Sequence, residues 1–155
     1  MPLLRAALSW NFVLATSICA SLLAQLIKVL LNLFIFHRFI AERMWGAGGM
    51  PSSHSATVCA MVVATGRYCG VNSPIFAIAA VLSIIVMYDA MGVRYETGEQ
   101  AKVLNRMFTE WMDQGFEQFQ LPHGKKLKEM VGHTPIEVVT GAALGIVLGF
   151  AMPMV

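Results

Sequence analysis

From Ala6 to Phe36 the chain is almost continuously apolar, broken by Asn11, Gln25, Lys28 and Asn32. That run is longer than the roughly 20 residues a helix needs to cross the hydrocarbon of a bilayer, so it reads as one long, tilted spanning helix. Arg5 ahead of it resembles the start of a signal peptide, but no small-x-small cleavage site leads into a soluble domain, so the run is read as the first membrane helix. Gln25, Lys28 and Asn32 are spaced by three and four and share one face, which should look into protein because a charge against lipid tails is costly. The competing reading of Lys28 is a long cation snorkelling from a helix end to the interface.

The rest of the composition agrees with a membrane protein: 57% of residues are hydrophobic and 13% charged. A net charge of +2, with no basic run interleaved with aromatics, sets nucleic acid aside as a partner. Cys19, Cys59 and Cys69 lack metal-ligand spacing and lie in or beside apolar segments, so they read as small packing residues.

A second helix is expected from His54 to Tyr68, with Ser55, Ala56, Ala60 and Ala64 on a closely packable face. It is short for a span, as suits a helix whose polar mouth is sunk below the membrane surface. Asn72-Ser73-Pro74 turns the chain into a third helix, Pro74 to Met91, which is apolar until Tyr88 and Asp89. Between Gly92 and Gly132 lies most of the charge, with Val103, Leu104, Met107, Phe108, Trp111 and Met112 recurring at helical spacing. That pattern predicts an amphipathic helix lying on the bilayer or over a site. Pro122-His123-Gly124 breaks it, and a short basic segment follows from Lys125 to Val131. The last helix, from Pro135 to the C-terminus, carries a stripe of Gly141, Gly145 and Gly149 that admits another helix backbone, either within the monomer or across a homodimer. The expected fold class is therefore all-α: an integral membrane bundle of about four spanning helices, with an amphipathic helix between the third and fourth.

Orientation follows from basic residues. Lys28, Arg38, Arg43, Arg94, Lys102, Arg106, Lys125, Lys126 and Lys128 fall on one side, Arg5 and Arg67 on the other, which places the richer side in the cytoplasm or its topological equivalent. On that side sits the turn Gly48-Gly49-Met50-Pro51-Ser52-Ser53-His54-Ser55-Ala56. Its glycines free the backbone, Pro51 stiffens the approach, and hydroxyls and an imidazole gather where the first N–H groups of a helix lack partners. Alone, the turn fits either an anion site at a positive helix end or an ordinary serine N-cap with a solvated histidine.

Four spans would bring Lys28, this turn, Asp89 with Arg94, and His133 with Glu137 to one face. His133 and Glu137 are four apart at a helix start, so the carboxylate can accept an imidazole N–H and fix its tautomer. An imidazole so held is a competent nucleophile or base, with His54 as a second that can protonate a leaving oxygen. Lys28, Arg94, Ser52, Ser53 and helix-start N–H groups would meet phosphate oxygens, which is most of what phosphoryl transfer requires.

At these residues the chain resembles the type 2 phosphatidic acid phosphatase and vanadium haloperoxidase superfamily. Pro51-Ser52-Ser53-His54 is similar to its second motif, and His133-Thr134-Pro135-Ile136-Glu137 to its histidine-x3-acid third motif. Together with Tyr88-Asp89-Ala90-Met91-Gly92-Val93-Arg94 and Gly98-Glu99-Gln100-Ala101, these strings most resemble a divergent branch of small membrane proteins, over nearly the whole chain. The resemblance implies one membrane-embedded phosphatase-like domain over residues 1–155, acting without a cofactor on a phospholipid or polyprenyl phosphate. In it His133 would take the phosphoryl group as a phosphohistidine, His54 would protonate the alkoxide, Lys28 would clamp phosphate, and Ser52 and Ser53 would bind it through hydroxyl and backbone. The chain departs from the family pattern in three ways: no arginine follows Lys28 at a seven-residue step, no Ser-Arg pair precedes His133, and Glu137 replaces aspartate. Arg94 fills the gap only if the fold returns it to His133.

Two other readings stay open on the residues. Asp89, Glu96, Glu99 and Glu137 offer oxygen ligands of the kind Mg2+ prefers, against simple salt-bridging to Arg94 and Lys102. A relative lacking the family's arginines could also bind a lipid phosphate without turning it over.

Overall fold

A computed structural model describes residues 11–36, 49–114, 126–129 and 131–154. Residues 6–10 of the first expected helix, the boundary at 37–43, Gly48, the Pro122-His123-Gly124 break and Lys125 lie outside the described residues. Regular structure among the described residues is helical throughout: α1 (Phe12–Phe36), α2 (Ser53–Cys69), α3 (Pro74–Met91), α4 (Val93–Asp113) and α5 (Pro135–Ala151).

Local chemistry sets the helix ends. Ser52, Ser73 and Thr134 each stand at an N-cap in extended conformation and accept a hydrogen bond from the backbone N–H three residues on. Pro74 and Pro135 follow two of these caps, where a missing N–H goes unnoticed. Gly70 ends α2 at φ +84°, a conformation that favours glycine. Gly92 only nicks the path between α3 and α4, because its N–H still reaches Tyr88 O and its carbonyl still receives Glu96 N–H.

The bundle is organised around α2, which packs against α1, α3 and α5. Small residues make this possible: Ser53, Ser55, Ala56, Cys59, Ala60 and Ala64 are buried along α2, and α1 meets it with Ala20 and Ala24. The α5 glycines face the same helix. A Cβ on Gly141 would come within 2.3 Å of Ser52 O, and one on Gly145 within 2.3 Å of Ala56 O. The stripe is thus filled from within the chain, by the backbone of α2. Gly145→Ala is expected to cost about 1–3 kcal/mol, because the obstacle is backbone at the bundle centre and cannot swing aside. Unfolding in detergent checks this; an unshifted midpoint would mean that α5 slides without penalty.

Apolar side chains cover the outside. On α1, Leu14, Ile18, Leu22, Leu26 and Leu30 recur every fourth residue and are exposed, whereas Thr16, Ala20, Ala24 and Lys28 recur every fourth residue and are buried. The outer stripe is lipid-facing and the inner one meets protein. Ile75, Ile78, Val81, Leu82, Ile84 and Ile85 continue the exposed apolar surface on α3. So broad an apolar exterior belongs to a helical membrane protein. In line with that, the Thr16, Ser17, Thr57 and Thr65 hydroxyls donate to carbonyls four residues back, leaving no orphan donor. Of the four expected spans, α1 and α3 reach spanning length and hydropathy, while α2 and α5 have 17 residues each. At the end remote from His133, Arg67 Nη1 donates to the carbonyls of Gly149, Phe150 and Met152, a cation closing the negative end of α5.

The apolar residues of α4 are turned outward, as in the expected amphipathic helix lying on a bilayer, and its protein-facing side is made of small residues. Its buried residues are Gly98, Ala101 and Asn105, while Val103, Leu104, Met107 and Met112 are exposed. The reason lies in its partner: α4 holds the chain returning at 126–129 and touches only α3 among the described helices, and close approach of that chain's backbone demands small residues.

Candidate functional site

The Pro51-to-His54 turn and the start of α5 are built as one unit. Gly49 takes φ +89°, the Met50–Pro51 peptide is cis, and Ser52 N–H then donates to the Glu137 carbonyl at 2.9 Å. The Glu137 side chain turns back over its own helix start and accepts from Thr134 N–H at 3.1 Å, while Thr134 Oγ1 caps Glu137 N–H. This is a capping box, readable from Thr134-x-x-Glu137, and it gives Glu137 a second role beside its bond to His133. Glu137 also accepts from the Gly49 backbone N–H. One carboxylate therefore ties the glycine turn, the α5 N-terminus and His133 together.

His133 is 1% exposed, and its Nδ1 lies 3.1 Å from Glu137 Oε2. Its Nε2 is buried and has no hydrogen-bond partner. In the neutral imidazole, an ionised Glu137 selects the tautomer in which Nδ1–H donates to the carboxylate and Nε2 carries the lone pair. The backbone is fixed as firmly: His133 N–H donates to Ala90 O at 3.0 Å, and Gly132 sits so close to α4 that a Cβ there would fall 2.3 Å from Tyr95 N and Cα. Only glycine permits that approach.

A small pocket opens beside this imidazole, lined by His54, Val86, Asp89, Ala90, Arg94 and His133. It encloses about 20 Å3 for water-sized groups within about 240 Å3 of open space that includes its mouth. The His54 and His133 rings meet edge to face with centroids 6.1 Å apart, and His54 is exposed at the rim. Arg94 enters from the first turn of α4, held by Asp89 through Nε, so its remaining guanidinium N–H groups are available to an anion. The fold does return Arg94 to His133, across a separation the sequence alone could not bridge. Lys28, Arg94 and Asp89 lie close enough to His54 for their charges to act on its imidazole.

The remaining expected residues divide. Lys28 is 2% exposed, packs its stem against Gly49 and lies within the field of Glu137, so it points inward and does not snorkel. Ser52 Oγ accepts from Ser55 N–H and Ser55 Oγ, and Ser53 Oγ accepts from Gln25 Nε2 at 3.3 Å. Lys28, Ser52 and Ser53 form the wall behind Glu137 and do not line the pocket. Glu99 is not brought to it either: it pairs with Lys102 on an exposed face of α4. Among the described residues, no three His, Cys, Asp or Glu side chains gather as a metal-ligand group. Of the apolar pocket walls, Val86 carries no motif by which sequence could single it out, and Ala90 lies within the Tyr88–Arg94 string without a chemical signal of its own.

Comparison with known proteins agrees with this architecture. The chain is 39% identical over 144 residues to the uncharacterized membrane protein YuiD of Bacillus subtilis (strain 168), covering 89% of this chain and 91% of that protein. No solved structure matches. The sequence pattern of the Divergent PAP2 family fits residues 9–148, including both histidines, Glu137, Arg94 and the turn that joins them. A helical membrane protein with this pattern along most of its length belongs to the Divergent PAP2 family.

Proposed function

We propose that the protein is a membrane phosphatase that hydrolyses a lipid-borne phosphate or diphosphate through a phosphohistidine on His133. The observation that carries the reading is the His133 imidazole: buried, bonded through Nδ1 to Glu137, with an unpartnered Nε2 next to a pocket that also holds His54 and Arg94. In the first step Nε2 attacks phosphorus, the P–O bond to the lipid breaks, and protonated His54 gives its proton to the departing alkoxide. Water then attacks the phosphohistidine while His54 takes a proton from it, which releases inorganic phosphate and restores both imidazoles. Arg94 would neutralise the charge on the equatorial oxygens, with Lys28 adding a second positive charge behind Glu137. Ser52 and Ser53 would act by shaping the α2 start, since their hydroxyls are engaged within the protein.

Family membership supports a relation to phosphatidic acid phosphatases. The apolar exterior supports a substrate with a phospholipid or polyprenyl tail, and the basic-residue asymmetry supports a cytoplasm-facing pocket. The magnesium alternative has less behind it, because Asp89 is engaged by Arg94 and Glu99 lies outside the pocket. The test is release of inorganic phosphate from a panel of phosphatidic acid, lipid diphosphates and polyprenyl phosphates, by purified protein in bilayers with and without EDTA. Turnover that survives chelation is expected. Turnover lost to EDTA and restored by Mg2+ would replace the phosphohistidine route with a metal-dependent one, and binding without release would make the protein a lipid-phosphate receptor.

A further inference from the structure

We infer that Asn105, further along the helix whose first turn carries Arg94, is a positioning residue for His133; its catalytic consequence rests on the phosphohistidine reading, its structural one does not. Asn105 is 4% exposed on a helix whose neighbouring side chains are mostly in solvent. Its amide is committed on both sides: Nδ2 donates to Leu127 O at 2.9 Å and Glu129 Oε1 at 2.8 Å, and Oδ1 accepts from Leu127 N–H at 2.8 Å. A side-chain amide that exchanges two hydrogen bonds with one backbone residue imitates a strand neighbour, and so fixes the height of that residue along α4.

From that anchor the returning chain follows α4 down to the pocket. Near Gly98 a Cβ would lie 2.5 Å from Glu129 O, Gly132 rests on the Tyr95 backbone, and His133 N–H ends on Ala90 O. These contacts step from residue 105 through 98 and 95 to 90, while the facing chain climbs from 127 through 129 and 132 to 133. Two of the steps are glycine contacts, which allow closeness but hold nothing; the hydrogen bonds are at the ends. Releasing the Asn105 end leaves, among the described residues, the His133 N–H bond to Ala90 O as the hydrogen bond that ties this segment to the α3–α4 backbone, with Glu137 holding the His133 side chain from α5. Burial makes this asparagine costly unless its amide is bonded, as it is.

The experiment follows hydrogen exchange of the His133 amide in the full-length protein in bilayers, with α2 and α5 amides as internal controls. Asn105→Ala is expected to speed exchange at His133 by about tenfold or more while the α2 and α5 amides keep their protection. Glu129→Ala removes one of the clamp's bonds and should give a smaller acceleration; it decides the matter if Asn105→Ala loosens the whole bundle. Asn105→Asp combined with Glu129→Gln, which reverses donor and acceptor across the pair, should be more protected at His133 than Asn105→Asp alone. Unchanged exchange at His133 in the alanine variants would overturn the inference. On a lipid phosphate that the wild type turns over, Asn105→Ala should lower kcat by about tenfold or more with KM nearly unchanged, since the anion-binding Arg94 stays in place. Faster exchange in a protein that releases no phosphate keeps the positioning role and removes the phosphatase reading. Normal exchange with lost turnover does the reverse.

Discussion

Replacing His133 with alanine is expected to cut phosphate release by roughly 1,000-fold or more, and to abolish the acid-labile phosphoenzyme that a radiolabelled lipid phosphate should leave on the wild type. The size of the effect follows from the position of the side chain. Among the described residues His133 is the one imidazole with a ring nitrogen both buried and unpartnered, and no other described side chain at the pocket can substitute for it: Asp89 is spent on Arg94, and His54 stands at the exposed rim. The substitution leaves Thr134 and Glu137 to cap α5, so helix content and detergent stability should fall far less than activity. Glu137→Gln offers a graded companion. It preserves shape but not the carboxylate that selects the Nδ1–H tautomer, so turnover should drop by about 100-fold or more with the phosphoenzyme still detectable. Wild-type turnover in His133→Ala would place the chemistry on another group.

The parts of this arrangement that were legible in the sequence are those set by local chemistry. Serine, threonine and proline mark the starts of α2, α3 and α5, and the small residues of α2 and the glycines of α5 announce close packing. That they pack on each other is a long-range fact, visible only when Gly141 is found against Ser52 and Gly145 against Ala56. The pocket divides in the same way. His133 with Glu137 is a local pair at helical spacing, so its geometry follows from the sequence. Arg94 reaches His133 because Gly132 lets the chain lie on Tyr95, a contact with no periodicity to reveal it. Asp89 and Glu99 look equivalent around Arg94 in sequence, yet the helical turn sends one to the pocket and the other to Lys102. The apolar spacing of α4 was legible too, but not which face would be buried. A helix that packs on irregular chain selects for small residues and a bonding amide, whereas hydrophobic periodicity registers only bulk.

Removing the second imidazole should separate proton transfer from phosphate capture. His54→Ala is expected to slow release from a lipid phosphate by about 100- to 10,000-fold, because an alkoxide is a poor leaving group that must be protonated as it departs. An aryl phosphate whose phenolate leaves without help should form the phosphoenzyme nearly as fast in the variant as in the wild type. The second step still lacks its base, since water attacking phosphohistidine must lose a proton to His54. The variant should therefore give one rapid turnover of phenolate followed by release of phosphate far slower than in the wild type, whose phosphoenzyme is hydrolysed with His54 as base. Structure makes this a clean experiment: His54 is exposed at the rim, meets His133 edge to face at 6.1 Å, and lies outside the Ala20, Ala24, Ala56 and Ala60 cluster at the bundle centre. Its loss should change stability by no more than about 0.5 kcal/mol, so an altered rate reports chemistry and not unfolding. Equal slowing on alkyl and aryl substrates, with no burst, would show that His54 binds the phosphate and that the proton comes from elsewhere.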